Sequence, residues 1–359
     1  MEISEKRTAP QRNGKIELMR FVFSVIIAGY HLGCSLNFDR ELFQKGYLAV
    51  EFFFMVSGFL LAKSLVRYHS GSSGQLISDS LRFMGKKYLS LYRYYAVVIV
   101  MTCIAWIPVL HLSLKKWLIK VLESLPTFLL VQMAGFRYVD WMVPVWYVSA
   151  MLIVMFILAP VLIRWGRTYS LYFAPVIALL LWGFIWQKSG HFNVSTEWKD
   201  HVLNLGLMRA FADISIGCTF FYIVQSGILK RFRSFALSAA GIFCYLIILL
   251  YTIMDIQKSA EPAIVFLTAA AVLVTFGNEN TFRFLNNRFI CFLGKASLPV
   301  FLCHSIARYY VEAYCPAEWG YYPLLGIFFG ITFALSGICI LIGDGLHWLI
   351  HRKKQPQKI

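Results

Sequence analysis

The sequence predicts an all-α polytopic membrane protein with about ten transmembrane helices and with both termini in the cytoplasm. Of its 359 residues, 59% are hydrophobic and only 14% are charged, whereas about 25% of an ordinary soluble domain is charged. Apolar runs of about 20 residues, each long enough to cross a bilayer, recur along the chain. The 34 Lys and Arg exceed the 18 Asp and Glu and concentrate in alternate loops, as cytoplasmic loops require. The basic charge therefore indicates topology and not nucleic-acid binding.

Ten spans are predicted from these apolar runs, and the fifth and eighth are the shortest. They cover residues 16–35, 46–66, 89–110, 144–163, 171–187, 205–226, 234–254, 261–277, 290–312 and 322–346. The stretch 112–132 is amphipathic and broken by Pro126, so we expect it to lie at the interface or to re-enter the membrane. One membrane domain, 16–350, thus lies between cytoplasmic tails at 1–15 and 351–359.

The first span carries Arg20 and His31, eleven residues apart. Eleven helical residues turn about 1100°, close to three full turns, and rise about 16.5 Å. The two side chains therefore lie on one face of the helix, half a bilayer apart. They cannot touch each other, but they can flank the two ends of an elongated ligand.

Other ionisable residues in the predicted spans sort by depth into two groups. Each costs about 2.5–3.5 kcal/mol to insert, so such residues usually face a protein interior or a wet cavity. The group toward the cytoplasm is all cationic: Arg20, Lys63, Arg93 and Lys295. The group toward the outer side is mixed: His31, Glu51, Arg209, Asp213, His304 and Arg308. For Lys63 and Lys295, snorkelling to the headgroups explains the charge without a ligand.

Three pairings are expected in the outer group. His31 and Glu51 match in depth, and a carboxylate beside an imidazole forms a general-base dyad that needs no metal. Arg209 and Asp213 lie at i and i+4 and are expected to pair, either for mutual neutralisation or as part of an acceptor site. His304 and Arg308 have the same i, i+4 spacing but include no acid, so this pair favours an acidic or polar partner. Alternatively, His304 makes a hydrogen-bonded contact between helices.

The inner cations suggest a phosphate ligand that arrives from the cytoplasm. Arg20 and Arg93 can form forked contacts with phosphates, and Lys86 and Lys87 lie in the adjoining loop. Anionic lipid is the competing ligand. No metal site is predicted, because His347 and His351 have no carboxylate at ligand spacing. No permanently bound cofactor is expected.

Four sequence blocks, in order, are similar to those of the acyltransferase-3 family of integral membrane O-acyltransferases. They are LMRFVFSVIIAGYHLG (18–33), GYLAVEFFFMVSGFLLAKSL (46–65), PVWYVSAMLIVMFILAPVL (144–162) and FLGKASLPVFLCHS (292–305). The chain departs from the family pattern at Glu51, where aspartate is common, and at Ser90 and Arg93, where many members have arginine and proline. We expect a stand-alone membrane acyltransferase, without the extracytoplasmic hydrolase-like domain of longer members.

The resemblance implies transfer of an acyl group, usually acetyl, from cytoplasmic acyl-coenzyme A to a hydroxyl of a carbohydrate, either a polysaccharide or a lipid-linked glycan. It also implies a bacterial cytoplasmic membrane and contact with membrane lipids. Arg20 would bind the donor phosphates, assisted by Arg93, Lys86 and Lys87.

Within that scheme His31 deprotonates the acceptor hydroxyl and Glu51 orients the His31 ring. Alternatively, His31 assists a relayed acyl-enzyme step. Side chains that could position the sugar or stabilise the oxyanion are His304, Arg308, Arg209, Asp213, Trp146 and Ser149. The acyl group, the acceptor sugar and the oligomeric state are not determined by these patterns.

Two interpretations from other classes compete with the enzyme. A transporter or polysaccharide exporter could line its pathway with the same charges, although paired broken helices in corresponding halves, which would support it, are not apparent. A membrane scaffold could use the charges only to fix helix packing. Both explain the depth-sorted charges less well than an acyltransferase does.

Overall fold

The computed structural model of the chain describes residues 12–36, 42–68, 71–136, 144–196, 198–199, 203–254, 258–279 and 281–352. The helices in these ranges are α1 (Gly14–Ser35), α2 (Ala49–Leu65), α3 (Ser73–Leu110), α4 (Leu114–Glu123), α5 (Leu125–Phe128), α6 (Val145–Thr168), α7 (Ala174–Ser189), α8 (Leu205–Gln225), α9 (Ser234–Ile253), α10 (Glu261–Gly277), α11 (Arg288–Tyr314) and α12 (Tyr321–Arg352). Two-residue strands β1 (Trp198–Lys199) and β2 (Leu203–Asn204) pair antiparallel. The predicted all-α fold is confirmed.

Within the described residues, eight helical segments are long and apolar enough to cross a membrane. Seven of them match single predicted spans. The eighth, Val145–Ser189, is 45 residues long and combines α6, a π-helical turn at Tyr169–Phe173 and α7. The 17-residue apolar helix α10 coincides with the short eighth span of the prediction.

The Val145–Ser189 segment folds back on itself, so it supplies two spans. Trp146 at the start of α6 lies with its ring 5.8 Å from the guanidinium of Arg209, at the start of α8. The end of α6 lies at the other end of α8, where Gly166 packs against the Tyr222 hydroxyl. The chain that leaves α7 returns to Arg209, whose Nη1 donates to the Val194 carbonyl at 3.1 Å. The reversal occurs near Trp165, the residue of α6 with non-helical backbone angles.

Polar residues that precede the apolar runs cap several of the helices. Asn13 accepts from the Lys15 amide at the start of α1, Ser72 from Gln75 at α3, Asn204 from Leu207 at α8, and Asn287 from Ile290 at α11. Such caps satisfy amides that the first helical turn leaves free. The cap at Ser72 starts α3 sixteen residues before the predicted span at residue 89, so α3 extends well beyond the membrane-crossing stretch.

Helices α2 and α8 pack backbone to backbone through two glycines. A Cβ at Gly58 would overlap the Ile214 carbonyl, and a Cβ at Gly217 would overlap the Met55 carbonyl. Without a hydrophobic force between helices in lipid, such small residues allow the close approach that dispersion requires.

The amphipathic stretch after α3 re-enters the bundle. Helix α4 exposes its apolar residues, whereas the chain after Pro126 is tied to α3 by three tyrosine hydroxyls. Tyr95 donates to the Thr127 carbonyl at 2.6 Å, Tyr92 to the next carbonyl and Tyr88 to the one after that. Carbonyls at the end of so short a helix lack the usual helical partners, and inside a membrane they require others. The predicted tails lie mostly outside the described residues, and their cytoplasmic location stays a prediction.

Candidate functional site

Helices α1 and α11 run side by side in the same direction and bring two histidines together. Glu17 near the start of α1 packs against Gly294 near the start of α11. Farther along, the ring centroids of His31 and His304 lie 5.1 Å apart, with the rings tilted by 39°. His31 Nδ1 lies 2.8 Å from the Ile27 carbonyl oxygen. Because a carbonyl can only accept, Nδ1 carries the proton and the lone pair of a neutral ring is on Nε2.

His304 is 1% exposed, and neither of its ring nitrogens has a hydrogen-bond partner within the described residues. A buried polar group without a partner costs free energy, so such a group commonly marks a site for a missing polar partner. Arg308 lies one turn farther along α11, with its Nε 3.7 Å from Glu312. The sequence-predicted His304 and Arg308 therefore lie beside His31.

The predicted dyad of His31 and Glu51 is wrong in its pairing. The carboxylate of Glu51 is fully buried and is held by Arg209, through Nε to Oε1 at 2.9 Å and Nη2 to Oε2 at 2.5 Å. This forked contact occupies both carboxylate oxygens, and among the described residues no hydrogen bond joins Glu51 to His31. A guanidinium fork matches carboxylate geometry better than an imidazole does.

The expected pairing of Arg209 with Asp213 is also replaced. Arg209 also donates to the carbonyls of Tyr47 and Val194. The Asp213 carboxylate instead accepts from the Trp182 indole at 2.8 Å. Trp146 stacks on Arg209, so two of the predicted acceptor-side residues belong, with Glu51, to one buried cluster that ties α2, α6 and α8 together.

Arg20 lies at a separate cavity of about 180 Å³, here called the inner cavity, between α1, α2, α3, α6 and α11. Arg20 Nη1 is 3.3 Å from Glu17 Oε2, and its side chain is 32% exposed. Lys87 of α3 lines the same cavity, together with the hydroxyl-bearing Ser57 and Ser297. This end of the cavity is therefore cationic, and the wall beyond it combines apolar side chains with hydroxyl groups.

Three aromatic rings separate the inner cavity from the histidine pair. Phe53, Tyr147 and Phe301 all line the cavity, and their ring centroids lie 5.6–6.4 Å from one another. The Phe301 ring lies 6.0 Å from the His304 ring on its other side. We call these three residues the aromatic wall. Through Phe301 the aromatic wall contacts both the inner cavity and the histidine pair.

A second cavity of about 210 Å³, here called the mouth cavity, adjoins the first and shares Ser57, Leu60 and Lys87 with it. Arg67, just after α2, and Lys86 of α3 also line it, beside the rings of Tyr68 and Phe83. The sequence-based interpretation did not include Arg67, because it follows the predicted second span. The early start of α3 is what brings Lys86 and Lys87 to face it.

Arg93 lies in a different arrangement from the one expected. It pairs with Asp344 of α12, and Lys295 of α11 contacts the other oxygen of the same carboxylate. Tyr94 donates to Asp344 as well, at 2.9 Å. Arg93 and Lys295 thus share one acid, which offsets one of their two charges. The sequence-based sorting of charges left this acid out, although Asp344 lies inside the last apolar run.

The remaining predicted residue, Ser149, has a structural contact. Its hydroxyl accepts from the Met133 amide at 3.2 Å and so fixes the end of the re-entrant segment on α6.

A third fully buried acid, Glu261, was also missed. It accepts from the Tyr47 hydroxyl at 2.5 Å and from the Phe192 amide at 2.7 Å. No group of His, Cys, Asp and Glu in the described part of the chain could hold a metal ion.

Comparison with known proteins identifies one relationship. A protein-family model described as an acyltransferase domain, of the acyltransferase-3 type, matches residues 13–343, which is nearly the whole chain. Neither the curated proteins nor the solved structures contain a match to this sequence.

Proposed function

The chain belongs to the acyltransferase-3 family and is an integral membrane acyltransferase; on that premise we propose that it moves an acetyl group from acetyl-coenzyme A to a carbohydrate hydroxyl. The acceptor would be a polysaccharide or a lipid-linked glycan at the surface of a bacterial cytoplasmic membrane. The family match supports the acyl transfer, whereas the donor, the acceptor and the roles of individual residues are part of the proposal.

The observation that carries this proposal is that one helix, α1, holds a cation at a cavity and, farther along, a histidine beside a second histidine. Arg20 of α1 lines a cavity that also contains Lys87. About 16.5 Å farther along the same helix, His31 lies against His304. A donor that is anionic at one end and reactive at the other, as an acyl thioester of coenzyme A is, matches this separation.

The donor would bind with its phosphates at Arg20, Lys86 and Lys87, where forked and charge-assisted contacts are available. Its extended arm would follow the inner cavity past the hydroxyl of Ser57 toward the aromatic wall. Rotation of one ring of that wall would admit the thioester to the histidine pair. Arg93 takes no part in this scheme, because it lies at Asp344 and lines neither the inner cavity nor the mouth cavity.

The chemical step follows from the orientation of His31. With Nδ1 held by the Ile27 carbonyl, Nε2 accepts the proton of the acceptor hydroxyl. The hydroxyl oxygen forms a bond to the thioester carbonyl carbon, and the carbon–sulfur bond breaks. The proton then passes from Nε2 to the departing thiolate, which leaves an ester and free coenzyme A.

His304 would supply the polar contact that this step needs. Its two buried nitrogens without partners provide one donor and one acceptor in the neutral ring. The N–H of the His304 ring can stabilise the oxyanion of the tetrahedral intermediate, or its other nitrogen can accept a hydrogen bond from the attacking hydroxyl and orient it.

Acyl transfer from radiolabelled acetyl-coenzyme A in membranes tests the proposal. We expect labelled glycan with the wild type and a loss of about 10²–10⁴-fold for His31→Gln. The matched control is His347→Gln, since His347 is exposed on α12; it should transfer as the wild type does. Equal labelling by the His31 variant would remove His31 from the chemistry. No labelling by folded wild type with glycan acceptor present would exclude acetyl-coenzyme A as donor.

A further inference from the structure

A groove of about 280 Å³ lies between α1, α9 and α10, larger than either cavity of the candidate site. Its sides are mostly apolar and include Leu18, Met19, Ile242, Leu246 and Leu249. The histidine pair and the cations of the mouth cavity do not contribute to its lining. The groove is therefore a separate feature of the fold.

The charged and amide side chains of the groove lie at one end, whereas farther along the hydroxyls of Tyr245 and Thr275 bond to each other at 3.2 Å. Lys15, Ser238, Asn278 and Thr281 line the polar end. From Leu237 to Leu249 the groove follows twelve residues of α9, which is about 18 Å of helix. Half of the hydrocarbon core of a bilayer is about 15 Å thick, so the groove has the length and polarity of one leaflet.

Lys15 is positioned to bind an anion at the polar end. Its Nζ donates to the Asn278 carbonyl at 2.5 Å and to the Thr281 hydroxyl at 3.2 Å. An ammonium group has three donors, so one N–H remains for a ligand once the contacts of the described residues are counted. Glu279, the acid among those residues that interacts with Lys15, is outnumbered by Lys230, Arg231 and Arg233 in the chain that leads into α9.

The groove opens toward the lipid. Ile242, Leu246 and Phe243 of α9 are each about half exposed or more, at 47%, 53% and 63%. Gly241 lies in the groove wall opposite Val274 of α10. The absence of a side chain at this position deepens the groove.

We propose that this groove binds one anionic glycerophospholipid, with a single acyl chain along α9 and its phosphate at Lys15. The surrounding solvent of these helices is lipid, the apolar part matches one leaflet in length, and the cationic end complements a phosphate. The site does not depend on the acyl transfer proposed above, because it shares no residue with the donor cavities or with the histidine pair.

Native mass spectrometry of the purified full chain, titrated with phosphatidylglycerol, tests the proposal. We expect one tightly retained lipid per chain and at least about tenfold weaker retention for Leu246→Trp, which fills the groove from its exposed side. Leu341→Trp is the matched control, since Leu341 is 75% exposed on α12 outside the groove. It should retain the lipid as the wild type does.

A second pair of variants examines the charge. Lys15→Gln should weaken retention about tenfold through the loss of a charge-assisted contact, and Lys15→Arg should restore it. Equal retention by wild type and Leu246→Trp would overturn the site, as would a preference for detergent over lipid. Retention of phosphatidylethanolamine at the same strength as phosphatidylglycerol would overturn the anionic assignment. These readouts do not involve acyl transfer, so their failure would leave the proposed enzyme activity intact.

Discussion

The Glu51–Arg209 pair and the His31–His304 pair lie near the same end of the bundle, and they differ in how their polar atoms are used. Tyr30, which touches His31, also packs against Tyr47, whose carbonyl accepts from Arg209. In the ion pair, both carboxylate oxygens and three guanidinium nitrogens have partners. In the histidine pair, both nitrogens of His304 have none within the described residues.

This difference separates charges that hold the fold from groups that are available for chemistry. The buried ion pair uses most of its donors and both of its carboxylate oxygens on contacts within the fold, whereas a buried imidazole without partners is set up to bind a polar group of a substrate. The sequence could assign both pairs to one site, because it shows depth and spacing but not which donors are already occupied.

The largest expected effect is the loss of the buried ion pair. Arg209→Met would leave the Glu51 carboxylate buried and unpaired, and we expect destabilisation of about 3–5 kcal/mol. Thermal unfolding of the purified protein, followed by a thiol-reactive or light-scattering probe, measures this effect. The double variant Glu51→Met/Arg209→Met should recover much of the stability, because apolar residues can replace a buried pair.

The double variant also sharpens the comparison. If Glu51 only holds the fold, the folded double variant keeps its acyl transfer per molecule. A melting temperature of Arg209→Met equal to that of the wild type would contradict the structural role, and an inactive but stable double variant would return Glu51 to the chemistry.

Replacing His304 should have the opposite pattern. We expect His304→Leu to lower the turnover number about 10²–10³-fold, as the loss of one oxyanion donor does. Its stability should not fall, because the substitution removes buried polar atoms that have no partner. Turnover and melting temperature of the same preparation check both statements, and a variant that unfolds early with normal turnover would refute them.

The cations also divide into those proposed to bind the substrate, Arg20 and Lys87, and one that holds the fold, Arg93. Their replacement is expected to change activity less than that of His304. Arg20→Gln and Lys87→Gln should each raise the KM for the acyl donor about tenfold, because each loses a charge-assisted contact to phosphate. Arg93→Gln is the matched control and should change KM little, since Asp344 pairs with Arg93. Initial rates over a range of donor concentrations distinguish the variants. An equal rise in KM for Arg93→Gln would place Arg93 in the donor site.

The smallest effect is expected at Asp344. Its carboxylate and its two cationic partners are each about one-third exposed and lie within about two turns of the ends of the predicted spans, where headgroups, water and salt screen the pairs. We expect Asp344→Asn to change stability by less than about 1 kcal/mol. Unfolding in low and high salt measures this, and a shift as large as that of Arg209→Met would show that the group is effectively buried.

The sequence by itself determined the solvent of this protein and the positions of its helices. Long apolar runs can satisfy their backbone groups in lipid only as helices, so the predicted spans coincide with the observed helices. The face shared by Arg20 and His31 follows from helical periodicity alone. The re-entry after Pro126 was likewise visible, since an amphipathic run with a proline cannot continue as a span.

Only the tertiary structure decided which charged side chains meet. Spacing along one helix predicted Arg209 with Asp213, but Arg209 reaches across to Glu51 because α2 and α8 approach closely at Gly58 and Gly217. The early start of α3 brings Lys87 to Arg20, and the course of α12 brings Asp344 to Arg93. Periodicity fixes neighbours within a helix, whereas contacts between helices depend on packing, and each pairing removes a charge from the set that a substrate can use.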